Sequence, residues 1–287
     1  NRFGFEETTF LLFFGHLPTR EELAEFNALL ATLRRLPPRF TEDIIMKAPS
    51  RSIMNKLQSS VLALYAYDDN PDEVTLDNML RQSIEIVARL PVIAAQSYSV
   101  YRNAFFNKSL TLHNPHDNLS TAENFLRVLR SDKKYTEAEA HLLDLCLVIH
   151  AEHGGGNNST FTNVTMASTG TDIYSTLAGA IGSLKGPKHG GANIKVTEMF
   201  NHIREGVSDI SNEGQIADFL EKIITEQQTL TCEYRLVKKD GTIIHVRDTV
   251  TPKRLDDGTL IGHSVLTDVT DLKNENNDLK GEIKNEI

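Results

Sequence analysis

The sequence predicts a mainly α-helical protein followed by a small antiparallel β segment and a terminal helix. Three observations carry this. Up to about Glu226, apolar residues recur at helical spacing, as in Leu23, Phe26, Leu30 and Leu33. Helix-start signals punctuate the same stretch, with a serine or threonine three residues before a glutamate. Near Thr229 the pattern changes to alternation, with glycine-containing turns between the runs.

Taken in order, residues 4–14 are apolar after Glu6 and Glu7 and predict a short helix. Thr19 and Glu22 predict the cap of the next helix, which stops before Pro37-Pro38. A helix is expected from about Ser52 to Tyr67, and a longer one from about Leu76 to Phe106 with a kink at Pro91. Thr111 to Asn118, with His113 and His116, is a polar surface loop. Ser120 and Glu123 cap another helix. Thr136 to Ile149 is amphipathic, with Ala140, Leu143, Leu147 and His150 in register. Segments 159–168 and 172–185 are helical and rich in small residues, which let helices approach closely. Asn193–Glu205 and Glu213–Glu226 complete the helical series.

Thr231–Val237 and Ile243–Val250 alternate, and Lys238-Lys239-Asp240-Gly241 between them is a hairpin turn. Asp256-Asp257-Gly258 precedes a third strand, Thr259–Val269. Asp271–Ile287 is polar and helical, with Leu272, Asn276, Leu279 and Ile283 on a short heptad seam. The expected domains are therefore 1–226, 229–270 and 271–287.

Composition narrows the function classes. The 287 residues are 40% hydrophobic and 24% charged, as in an ordinary soluble globular protein. The net charge of −9, with no basic stripe, argues against a nucleic-acid surface. No run reaches the length of a membrane span and no signal peptide opens the sequence, so a cytoplasmic setting is expected. The start at Asn1, without methionine, points to a fragment or a processed product. Cys146 is expected to be a buried free thiol, and a disulfide to Cys232 stays open. The histidines show no convincing metal-ligand spacing, so no metal and no bound cofactor are expected.

The candidate chemistry lies between His150 and Asn193. His150-Ala-Glu-His153-Gly154-Gly155-Gly156-Asn157-Asn158-Ser159 and Gly186-Pro-Lys-His189-Gly190-Gly191-Ala-Asn193 each join a histidine to a glycine cluster and an amide side chain. Glycine admits close ligand approach, and histidine serves hydrogen-bond and proton chemistry near neutral pH. Two helices fit between His153 and His189, so the two motifs could meet in one pocket.

From Phe3 to about Ile224 the chain resembles the citrate synthase family. The carrying residues are Gly4-Phe-Glu-Glu7, Leu11–Gly15, Leu17–Leu23, Leu119–Phe125 and the two glycine–histidine motifs. That resemblance implies a helical fold, a homodimer, and a Claisen-type condensation of acetyl-CoA, as cosubstrate, with oxaloacetate. It implies that His189 is catalytic, holding charge at the thioester oxygen. It places His153 and Asn157 against oxaloacetate, with His150, Gly156 and Ser159 close by. It also implies a second catalytic histidine, a base aspartate and carboxylate-binding arginines beyond Ile224, where no matching motif occurs. His263 follows a glycine but is better explained by a strand. From about Thr229 to Leu279 the chain resembles the second half of a PAS domain, through Glu233-Tyr-Arg-Leu, Lys239-Asp-Gly241, Asp257-Gly258, Gly262 and Asp268-Val-Thr-Asp271. Three readings follow: an impaired condensing enzyme, a PAS-linked sensor with a non-catalytic helical part, or a join of two genes without selected function. Unpartnered strands at the tail predict self-association.

Overall fold

The computed structural model describes residues 4–152, 154–226, 230–238, 240–254 and 260–271. It divides into two compact units, Asn1–Ala192 and Asn193–Ile287. The first holds α1 (Phe5–Phe14), α2 (Arg20–Leu33), α3 (Ile53–Leu64), α4 (Leu76–Phe106), α5 (Thr121–Leu129), α6 (Glu137–Ile149), α7 (Asn158–Ala167) and α8 (Ile173–Lys185). A π-helical turn, Thr41–Met46, precedes α3, and a 3-10 turn, Tyr65–Tyr67, follows it. The π turn had no sequence signal. Helix α9 (Ala192–Gly206) opens the second unit, followed by α10 (Glu213–Glu226) and strands β1 (Leu230–Val237), β2 (Ile243–Arg254) and β3 (Leu260–Asp268).

Local chemistry explains most helix starts. Thr19, Ser120 and Thr136 each accept a hydrogen bond from the backbone N–H three residues on, while the glutamate carboxylate there accepts one from the cap's own N–H. Helix α1 is different, because Gly4 has no side chain with which to cap it. Asp144 reaches from α6, and its carboxylate accepts from Gly4 N at 2.7 Å and Phe5 N at 3.1 Å. An anion at a helix N-terminus satisfies orphan donors and the dipole together. Asp144→Ala is expected to lower the unfolding free energy by about 2 kcal/mol, read by urea denaturation; an unchanged midpoint and slope would refute the cap.

Helix α4 organises the first unit. Its Ile86, Ile93 and Val100 join Phe40, Ile45, Val61, Leu64 and Tyr174 in the main core. Ile84 and Ala88 pack with Phe10, Phe26 and Leu30 of α1 and α2. Val92 and Ala95 meet Val128 of α5. Pro91 lies inside this helix without dividing it, since Ala88, Val92 and Ile93 around it are all buried.

One sequence expectation is corrected. Cys146 is free but exposed. In α6 only Ala140 and Asp144 are buried, while Leu142, Leu145 and Ile149 stand in solvent. Ala140 and Asp144 share the inward face with Leu143 and Leu147, which are half-buried, as the expected register has it, whereas His150 at its end is exposed. His113 and His116 do lie in a loop, but both are used. His113 Nε2 meets Ser131 O at 3.0 Å, and His116 Nδ1 accepts from Asn118 N at 3.3 Å.

A buried polar cluster ties α8 to α4. Asp68 accepts from Tyr174 Oη at 2.6 Å, Gln82 Nε2 at 2.8 Å, Arg81 Nη2 at 2.8 Å and Asn70 N at 3.0 Å. Burial alone would raise the Asp68 pKa. The hydrogen bonds from Tyr174, Asn70, Gln82 and Arg81 outweigh it and hold the carboxyl at about 2. Burial, and then the Asp68 carboxylate, push the Tyr174 phenol well above its usual value.

In the second unit the three strands form one antiparallel sheet in the order β1-β2-β3. Leu230 pairs with Val250 and Val237 with Ile243, closing the expected hairpin, with Gly241 at φ +84°. His263 pairs with Thr251 inside β3, in line with the strand expected there. Helices α9 and α10 pack so closely that a Cβ at Gly206 would sit 1.9 Å from the Phe219 ring. The seam around Asn276 falls outside the described residues. Among those described, no helix is long and apolar enough to cross a membrane.

Candidate functional site

Helices α7 and α8 form an antiparallel pair, and both glycine–histidine motifs sit at one end of it. Asn157 caps α7, its side chain accepting from Ser159 N at 2.9 Å. Asp172 caps α8 by accepting from Ser175 N at 2.8 Å. Beyond α8 the chain turns tightly, with His189 N and Gly190 N both donating to Gly186 O, at 3.0 and 2.9 Å. This turn needs its glycines: a Cβ at Gly190 would lie 1.9 Å from Leu184 O, and one at Gly191 2.4 Å from Pro187 O. Both neighbours are backbone atoms and cannot swing aside.

That turn returns His189 to the start of α7. Its Nε2 lies 2.7 Å from Ser159 Oγ, a half-buried hydrogen bond across 30 residues of sequence. A second link lies beside it, with Asn158 Nδ2 donating to Ser183 Oγ at 2.6 Å. The two bonds hold the ends of α7 and α8 in register. Gly190→Ala is expected to push the turn outward, break the Ser159–His189 bond and cost about 1–3 kcal/mol. Side-chain ¹⁵N spectra of His189 would report this, and an unchanged ring environment would sink the prediction.

The other sequence candidates are placed unevenly. Gly154 adopts φ +77°, a conformation that favours glycine, whereas Gly155 and Gly156 face open space. His150 forms the C-cap of α6 and is exposed. Its Nδ1 lies 2.7 Å from Cys146 O, so it donates there and leaves Nε2 free. His153 lies outside the described residues. Asn158 and Ser183 were missed. Asn158 lies inside the first glycine–histidine motif but without an assigned role there; Ser183 carries no signal of its own. Among the described residues, no group of three or more His, Cys, Asp or Glu could hold a metal ion.

A cavity of about 420 Å³ adjoins this pair of motifs. Ser159 lines it together with apolar residues of α1, α4 and α8. One turn beyond Ser159 on α7, Asn163 Oδ1 is buried without a hydrogen-bond partner.

Residues 1–232 match the family model described as the C-terminal domain of citrate synthase. The chain is 35% identical over 199 residues to a citrate synthase of Deinococcus radiodurans, covering 69% of this chain and 51% of that protein. It is 34% identical over 228 residues to a citrate synthase of Haloferax volcanii, covering 76% and 56%. A 2-methylcitrate synthase of Corynebacterium glutamicum is 30% identical over 242 residues, covering 83% and 60%. The crystal structure of citrate synthase from Pyrobaculum aerophilum superposes with a TM-score of 0.61 at 31% identity, covering 71% of this chain and 50% of that one. That from Thermotoga maritima gives 0.57 at 29%, covering 79% and 56%. The chain belongs to the citrate synthase family. It spans about half the length of the curated relatives it matches, and the match runs past α10 into β1.

Proposed function

We propose that the helical part forms a citrate synthase-like site that takes oxaloacetate and acetyl-CoA and promotes their condensation. The observation that carries this reading is the 2.7 Å bond between Ser159 Oγ and His189 Nε2, which joins the two glycine–histidine motifs. His189 would act as a neutral donor to the thioester oxygen, where negative charge grows as the neighbouring carbon loses a proton. Ser159 then donates to Nε2, which puts the ring proton on Nδ1, free to face the thioester. His153, Asn157, His150 and Gly156 would line the oxaloacetate side. The N-terminus of α7 presents backbone N–H groups there, which favour a carboxylate.

In the overall reaction a carboxylate base takes the proton of the carbon beside the thioester. That carbon bonds to the ketone carbon of oxaloacetate, whose oxygen gains a proton. Water then cleaves the thioester and CoA leaves as the thiol. The family resemblance puts the base, a second histidine and carboxylate-binding arginines beyond Ile224, where these 287 residues carry no matching motif. Turnover by this chain alone is therefore expected to be strongly impaired. A general base typically contributes about 10²–10⁴-fold. The cytoplasmic setting and the homodimer, or other self-association, belong to the same proposal.

A second reading is favoured by the hairpin-linked sheet β1–β3. Its antiparallel order, with the turn at Gly241 between β1 and β2, suits the latter half of a PAS domain, with the helical part as a ligand-binding or silent module. Calorimetry with oxaloacetate and a coupled assay for released CoA separate the readings. The enzyme reading expects oxaloacetate binding with slow CoA release. Binding without any release favours the sensor, and no binding at all removes both ligand-dependent readings.

A further inference from the structure

We propose that the cavity lined by Asn163 binds a small neutral apolar molecule carrying one hydrogen-bond donor, of the indole or phenol kind. Binding there does not depend on the condensing-site reading above. Two observations meet at this place. The first is the cavity itself, about 420 Å³, with Ile86 and Leu90 of α4, Leu177 and Ile181 of α8 and Phe13 of α1 in its walls. That volume falls in the range of small-molecule sites, about 300–1,000 Å³. The second is Asn163 of α7, which belongs to the same lining and whose Oδ1 is buried with no hydrogen-bond partner.

The unpaired oxygen is out of keeping with its surroundings. Nearby on α7 and its cap, the side chains of Asn157, Asn158, Ser159 and Thr162 all have partners. Buried amide oxygens are normally paired, because leaving one unmet costs stability. The rest of the lining says what can meet it. No charged side chain lines the cavity. Its two hydroxyls are engaged, Ser159 with His189 and Ser83 with Met79 O, each at 2.7 Å. An ion would lose its hydration there without replacement. A lone water needs two to four polar partners and would find one free acceptor. A plain hydrocarbon would fill the walls and leave the oxygen unpaired. An apolar body with a single N–H or O–H satisfies both the walls and Asn163. The terminal torsion of asparagine is broad, so the amide can turn its oxygen to such an occupant.

The test uses indole and benzofuran, which match in shape but exchange a ring N–H for an ether oxygen. The chain has no tryptophan, so indole emission reports binding to the full chain without background. Benzofuran is scored by displacement of indole, with oxaloacetate and thioesters absent, so the result stands apart from the condensing-site reading. Indole should bind saturably with its emission moved to the blue. Benzofuran should bind about tenfold more weakly, the usual worth of one hydrogen bond. Asn163→Leu should erase that difference and leave the protein folded, since it removes an unsatisfied group. Ala180→Phe, or more gently Val87→Met, fills the cavity and should abolish binding of both ligands with helical content unchanged. Absence of saturable indole binding overturns the proposal. So do equal affinities in the unmodified protein, a preference for indole that survives Asn163→Leu, or indole binding at full strength in both cavity-filling variants.

Discussion

Replacing Asp68 with alanine is expected to cost about 3 kcal/mol or more of unfolding free energy. Four donors converge on that carboxylate, and two of them, Tyr174 Oη and the Gln82 amide, belong to residues that are 1% exposed. Without Asp68 the Tyr174 hydroxyl loses its acceptor inside the core, while the Gln82 amide keeps Asn70 O at 3.2 Å and Pro71 O at 3.4 Å; leaving a buried polar group unsatisfied costs more than a typical hydrogen bond contributes. Tyr174→Phe removes a single donor and should cost about 1 kcal/mol. The acid limb follows from the same cluster. The folded-state pKa of Asp68 is depressed from 3.8 to about 2. Its contribution is therefore complete above the unfolded value and fades as pH falls from about 5 towards 2. Urea denaturation at pH 7 and pH 3 reads both effects. A loss below about 1 kcal/mol for Asp68→Ala, or an unchanged acid limb, would mean that other groups carry this junction.

The second large effect concerns His189. Its replacement by alanine should reduce whatever CoA release the chain supports by about 10²–10³-fold, the usual consequence of removing a donor from an oxyanion site. Affinity for oxaloacetate should change by less than about threefold, because His189 is assigned to the thioester and not to the dicarboxylate. Ser159→Ala should have a smaller effect, about tenfold, by releasing the ring to either tautomer. Side-chain ¹⁵N shifts would show that directly, as a mixture of Nδ1–H and Nε2–H forms in the variant against the single Nδ1–H form that the proposed Ser159–His189 bond predicts for the parent. If His189→Ala leaves CoA release intact, the imidazole is not the donor, and the Ser159 bond is a packing feature of the α7–α8 pair.

The fate of α6 shows where sequence reasoning stops. Its apolar pattern is locally clear, and Thr136 and Glu139 mark its start correctly. The face it turns inward, Ala140, Leu143 and Leu147, is the one its periodicity marks, but nothing in that spacing states that Asp144 on the same face caps a helix 140 residues earlier in the chain. Periodicity has no term for a distant helix that lacks its own cap. The apolar run 142–149 predicts Cys146 inside, yet it lies off the inward face and is exposed.

The candidate site divides in a similar way. Gly156, Asn157, Ser159 and His189 stand out in the sequence because glycine clusters beside histidine and amide side chains are uncommon and chemically suggestive. Nothing in their spacing states that Ser159 and His189 share a hydrogen bond, or that Asn158 and Ser183 share another beside it.

By itself, the amino-acid order determined what is local: the helix starts at Thr19, Ser120 and Thr136, the length of α4 and the turn at Gly241. Each depends on groups within a few residues of one another, where few backbone conformations compete. Tertiary structure alone decided which carboxylate caps α1, which donors gather on Asp68 and which serine meets His189. Those contacts join groups far apart in the chain, and only the packing of α4 against α3 and α8, and of α7 against α8, sets the distances that make them.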